Sequence, residues 1–63
     1  MNYAKAIKAL RKKMLITQTE LAAQLGVAFV SVNRWENGAY EPTMKAKRKL
    51  AILFEKYGIA LEE

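Results

Sequence analysis

The sequence predicts an all-α fold, a compact four-helix domain with a short C-terminal tail, spanning residues 1–63 as a single unit. Three observations carry that expectation. Apolar residues recur at intervals of three and four in separate stretches, the pattern of helices that each turn one face to a shared core. Asn2, Thr17 and Thr43, residues whose side chains cap helix starts, stand just before three of those stretches. Gly26, Gly38, Gly58 and the lone Pro42 fall where the stretches must end or turn.

Residues 2–14, NYAKAIKALRKKM, form the first predicted helix. Tyr3, Ile7, Leu10 and Met14 make its apolar stripe, and Asn2 is its N-cap. Lys5, Lys8 and Lys12 lie off the stripe, toward solvent or a phosphate backbone. Leu15 and Ile16 break the period and are expected to plug the start of the next helix. Thr17 followed three residues later by Glu20 is a capping box: the hydroxyl takes one backbone N–H and the carboxylate reaches back for another. The second helix follows as QTELAAQL, with Leu21, Ala22 and Leu25 facing inward. Ala22 is either a small residue at a close helix approach or simply a good helix former.

Gly26 supplies a sharp turn that a residue without Cβ makes at no steric cost. A third helix is expected over residues 28–37, with Ala28 a poor N-cap. Val32 and Trp35 share its inner face, with Trp35 a core anchor. Asn33, Arg34 and Asn37 lie on another face, and Phe29 and Val30 do not share the face of Val32. Gly38 is a left-handed stop. Residues 39–43 form a loop in which Pro42 keeps Glu41 extended. Thr43 caps a fourth helix, MKAKRKLAILFEKY, whose stripe is Ala46, Leu50, Leu53 or Phe54, and Tyr57. Gly58 closes it, leaving residues 59–63 as a tail. There is no repeat, low-complexity tract or internal linker.

Composition narrows the function. A chain of 63 residues buries only about 60% of its unfolded surface, so close helix packing is required. There is no Cys and no His. Thiolate metal sites, disulfides and Ser-His or Cys-His chemistry are excluded, and neither a metal, a cofactor nor enzyme activity is expected. No apolar run spans a bilayer and no signal-peptide pattern opens the chain, so the expected location is the cytoplasm, without a membrane role. Helix 1 is basic and amphipathic, but its apolar stripe is needed for the core. The net charge of +5 and pI near 9.8 favour a polyanionic partner, although a Lys-rich solvated surface has the same signature. Lys5, Lys8, Arg11, Lys12 and Lys13 crowd residues 1–16 with no acid among them, and Lys45, Lys47, Arg48 and Lys49 form a second cluster.

Two short helices joined at Leu25-Gly26-Val27 make a helix-turn-helix over residues 18–38, whose second helix suits the major groove of DNA. Gln18, Leu21, Ala22, Leu25, Gly26, Val27 and Val32 fit that motif, and the segment VNRWENGxxxP, with Arg34, Trp35, Glu36, Asn37, Gly38 and Pro42, is more specific still. With these residues the chain resembles the lambda-repressor-like helix-turn-helix domains of the phage repressor, Cro and Xre type. The resemblance runs from helix 1 through helix 4.

Arg34 can grip guanine bidentately, or stand in a surface salt bridge; Asn33 can read an adenine edge or bond a phosphate. The resemblance puts the start of helix 3 near bases, so Phe29 and Val30 would read by apolar contact, most naturally with thymine methyl groups. The family often has Ser and Gln or Arg there, so this chain departs toward apolar readout. Phe29 has a second reading, as a core or dimer-interface aromatic. Helix starts at Gln18 and near Thr43 suit anions. By resemblance, Gln18 contacts DNA and the backbone at Asn37 and Gly38 holds a phosphate. Lys8, Tyr40 and Lys45 are further phosphate candidates, with Tyr40 alternatively packing on the end of helix 4. Lys5, Lys12, Lys13, Lys47, Arg48, Lys49 and Lys56 are expected to supply general positive field. Glu36, a carboxylate in the reading helix, pairs by resemblance with Arg11 in a partly buried structural ion pair.

The resemblance implies a sequence-specific regulator of transcription on double-stranded DNA, a repressor that excludes polymerase, without an effector pocket. A homodimer would set two copies of helix 3 about 34 Å apart on a palindromic operator. Many relatives add a fifth helix for dimerisation, and only five residues follow Gly58 here. The alternative is an interaction module, an antitoxin or targeting domain whose segment 54–61 docks a protein partner.

Overall fold

The computed structural model describes residues 2–61 and contains four helices: α1 (Tyr3–Met14), α2 (Gln18–Leu25), α3 (Phe29–Glu36) and α4 (Met44–Tyr57). Local chemistry accounts for most of their ends. The Asn2 side chain accepts from the Lys5 N–H at 3.1 Å. At α2 both halves of the capping box form: the Glu20 N–H donates to Thr17 Oγ1 at 3.1 Å, and the Thr17 N–H donates to Glu20 Oε1 at 2.9 Å. Thr43 Oγ1 accepts from the Ala46 N–H at 3.3 Å at the start of α4.

Helix α3 is the exception. Ala28 has the extended backbone of an N-cap but no side chain with which to make the capping bond. Ala28→Ser is therefore expected to raise stability by about 1 kcal/mol, read as a higher urea midpoint with an unchanged slope. No gain in midpoint would mean that the α3 start is already satisfied by other groups.

Helices α1 and α2 each pack against both α3 and α4. Ile7, Leu10, Leu21, Val32 and Leu50 are sealed at their centre, with Trp35 and Phe54 beside them. Ala6, Ala22 and Ala46 are buried too, small residues where the helices come close. Leu53, Tyr57, Ile59 and Leu61 lean on this core from the edge. The segment 54–61 thus gives Phe54 to the core and rests Tyr57, Ile59 and Leu61 against it, while Glu55, Lys56, Gly58 and Ala60 are exposed. No helix among the described residues is long and apolar enough to cross a membrane.

Leu15 does not plug α2. It ends α1 in the left-handed conformation at φ 58°, with its N–H bonded to Arg11 O. The reversal turns its side chain outward, and it is 88% exposed. Ile16 alone packs against the core.

Candidate nucleic-acid interface

The turn between α2 and α3 is held from both sides. Gly26 has φ 71°, and the Val27 N–H returns to Ala22 O at 3.0 Å. A Cβ on Gly26 would meet only Lys49 Nζ, at an ordinary 3.5 Å, so the positive φ is what demands glycine. Lys49 Nζ donates to Leu25 O at 3.0 Å, satisfying a carbonyl at the end of α2. Lys49 therefore has a fixed structural job in addition to its charge. Lys47 does as well: its Nζ lies 5.2 Å from the centre of the Tyr3 ring and 3.6 Å from Glu41 Oε2.

Helix α3 turns Val32, Trp35 and Glu36 inward. Val30, Asn33, Arg34 and Asn37, at helical spacing, form the outward face. Phe29 sits beside them at the start of the helix and is 49% exposed, with Val30 46% exposed. Neither belongs to the core. The three-and-four spacing already joins Val30 to Asn33 and Arg34, a signal in the sequence that marks this face without any structure.

The inward carboxylate is held by Arg11. Arg11 Nε donates to Glu36 Oε2 at 2.5 Å and Nη2 to Oε1 at 2.8 Å, while Nη1 reaches Ile16 O at 3.3 Å. Burial pushes the Glu36 carboxyl up, but the hydrogen bonds from Arg11 and then Gln18, with the charges of Arg11 and Lys8, outweigh it and hold the group below its ordinary 4.5. The Arg11 guanidinium is raised in turn, chiefly by its bond to Glu36, against an opposing effect of burial. Among the described residues every buried side-chain nitrogen and oxygen has a partner.

Several residues expected to face DNA are tied to one another. Gln18 Nε2 donates to Glu36 Oε1 at 3.1 Å, Asn33 Nδ2 to Gln18 Oε1 at 3.2 Å, and Asn37 Nδ2 to Asn33 Oδ1 at 3.1 Å. Gln18 and Asn33 are half-buried, and Asn37 is exposed. Among the described residues Arg34 makes no salt bridge; its guanidinium carbon lies 5.3 Å from the centre of the Tyr40 ring, a cation–π distance. Tyr40 is exposed rather than packed on α4. Lys8 and Lys45 are exposed on α1 and α4.

The Asn37 N–H donates to Asn33 O at 3.0 Å, the Gly38 N–H to Trp35 O at 3.1 Å, and the Ala39 N–H to Arg34 O at 3.0 Å. The backbone N–H groups of Asn37 and Gly38 therefore close α3 within the chain. Gly38, at φ 76°, serves the turn. At the start of α2, by contrast, helix geometry leaves the N–H groups of Gln18 and Thr19 without intrahelical partners. No group of three or more His, Cys, Asp or Glu side chains among the described residues could hold a metal ion.

Two short helices about a left-handed glycine, with the second packed on one side and open on the other, define a DNA-binding helix-turn-helix domain. The family model described as helix-turn-helix matches residues 7–62, and the chain belongs to this family, the lambda-repressor-like, Xre type. No curated protein and no solved structure gives a significant match.

Proposed function

We propose that this domain binds double-stranded DNA in a sequence-specific manner, with α3 in the major groove, and represses transcription by covering a promoter. The observation that carries the proposal is the division of α3. Val32, Trp35 and Glu36 anchor one side, which leaves Val30, Asn33, Arg34 and Asn37 displayed together on the other. In this reading Arg34 and Asn33 read base edges, while Phe29 and Val30 meet thymine methyl groups. The N-terminus of α2 at Gln18, the Asn37 side chain, Tyr40, Lys8 and Lys45 meet phosphates. The Arg34 guanidinium lies over the aromatic face of Tyr40, so less side-chain freedom is lost when a guanine is gripped.

Binding to a selected duplex is expected to weaken steeply with salt. A domain that neutralises about four phosphates loses roughly a hundredfold in affinity between 50 and 200 mM salt. Arg34→Ala should lower discrimination between sites by about tenfold or more, whereas Lys45→Ala should weaken binding to all duplexes alike. Affinity independent of salt, or equal discrimination with and without Arg34, would count against the proposal. A selection from random duplexes identifies the site, and a palindromic motif would establish binding as a pair of domains.

A further inference from the structure

We infer that Glu36, besides pairing with Arg11, sets the donor–acceptor polarity of an amide relay that runs to the DNA-facing surface and fixes which atoms Asn33 and Asn37 display there. The inference rests on the reading of the outer face of α3 as the base-reading face.

The relay is directional because its inner end has no choice. A guanidinium only donates and a carboxylate only accepts. Arg11 occupies both oxygens of Glu36 from one side, and Glu36 is only 3% exposed, so its orientation is set. Any amide that meets Oε1 must offer its nitrogen, and Gln18 Nε2 does so at 3.1 Å. That choice presents Gln18 Oε1 to Asn33, which must answer with Nδ2, at 3.2 Å. Asn33 Oδ1 is then the atom that meets Asn37, and Asn37 Nδ2 answers at 3.1 Å. An amide free in solvent turns its oxygen and nitrogen over at little cost. Here reversal of Gln18 or Asn33 sets oxygen against oxygen at one contact and nitrogen against nitrogen at the other, and reversal of Asn37 sets oxygen against oxygen at its contact with Asn33.

The chain of bonds passes from a buried charge through two half-buried amides to an exposed one. Its innermost link is charge-assisted, and hydrogen bonds in series strengthen one another. Asn33 retains one N–H and one oxygen lone pair, and Asn37 retains its outward oxygen and one N–H. Those retained groups, in one orientation, are what a base edge or phosphate meets. Glu36 and Gln18 are thus positioning residues for Asn33 and Asn37. Read from sequence, Glu36 is a carboxylate out of place beside DNA that pairs by resemblance with Arg11; the relay also makes it the reason that an asparagine on the same helix has one face to show.

Two measurements on the full chain test this, one without DNA. In the first, side-chain amide signals of Gln18, Asn33 and Asn37 are followed by NMR in the parent, Glu36→Gln and Gln18→Met. Gln18→Met cuts the relay while leaving Arg11 and Glu36 in place. It is expected to move the Asn33 and Asn37 signals and to speed exchange of their amide protons. Glu36→Gln, which removes the obligate acceptor, should move all three. Unchanged Asn33 and Asn37 signals in Gln18→Met overturn the relay whatever the protein binds.

In the second, the parent, Gln18→Met and Asn33→Ala are put through the same random-duplex selection. Gln18→Met is expected to lose affinity and also to relax preference by about tenfold at the same base position as Asn33→Ala, with the rest of the motif kept. A uniform loss of affinity with the motif unchanged makes Gln18 a phosphate contact alone and overturns the inference. A parent that selects no motif overturns the DNA reading itself, and the DNA-free spectra separate that failure from failure of the relay.

Discussion

Arg11→Ala is expected to destabilise the domain by about 3–5 kcal/mol at neutral pH and to reverse its response to acid. The Glu36 side chain is 2% exposed and that of Arg11 24%, so the two partners are stranded unequally. Without Arg11 the carboxylate keeps one of its hydrogen bonds, from the Gln18 amide, and the charge of Lys8, inside the protein. Without Glu36 the guanidinium still touches Ile16 O and can turn toward water. Glu36→Ala should therefore cost less, about 3 kcal/mol. A domain of this length has roughly 3–9 kcal/mol in total, so Arg11→Ala removes a large share of it near neutrality.

The pH dependence gives the sharper test. In the parent, Glu36 titrates below its ordinary 4.5. A depressed carboxyl contributes stability that is fully present above the unfolded value and is lost as pH falls through the folded one. The parent therefore weakens in acid below that value. In Arg11→Ala the same carboxyl, buried without a cation bonded to it, titrates above the unfolded value. The folded state then binds the extra proton, and stability rises as pH falls toward 4.5. Urea unfolding followed from neutral pH down to about pH 4 should show the variant gaining stability through a range in which the parent is flat. If Arg11→Ala instead weakens with acid in parallel with the parent, the pair is not the buried link described above.

Trp35→Ala should cost a similar amount, about 3–5 kcal/mol, and remove the α3 helix along with the stability. Helix α3 has only eight residues and no side-chain cap at its start. Isolated helices of fewer than roughly 12–15 residues are marginal in water, so this one persists through its inward side chains. Those are Val32, Trp35 and Glu36, of which Trp35 is much the largest. Trp35→Phe keeps an aromatic body in the same space and should cost about 1.5 kcal/mol or less after repacking. Circular dichroism and urea unfolding distinguish the two. A Trp35→Ala protein with parental helix content and midpoint would mean that α3 does not depend on this anchor.

Both predictions concern the anchoring of α3, and the two anchors differ in how visible they are in the sequence. Trp35 follows Val32 at helical spacing, which marks it as a core residue by pattern alone. Glu36 follows Trp35 directly, and its partner Arg11 is 25 positions away. Nothing in spacing or propensity joins them; only the likeness of VNRWENGxxxP to the family implied that pairing.

The sequence by itself determined where helices start, stop and turn their apolar faces. Asn2, the Thr17 and Glu20 box, Thr43, and the left-handed glycines at 26, 38 and 58 act within four residues of themselves. Local steric and hydrogen-bonding rules suffice to read them. Which donor meets which acceptor across helices was decided by tertiary structure. Lys49 on Leu25 O, Lys47 between Tyr3 and Glu41, Arg34 against Tyr40, and the run from Glu36 to Asn37 all depend on how helix axes cross and how far side chains reach. Leu15 follows the same logic in reverse: its type predicts burial, but the left-handed close of α1 directs it to solvent. A polar side chain declares what it can bond. Packing selects the one partner that the folded chain brings within three ångströms or so.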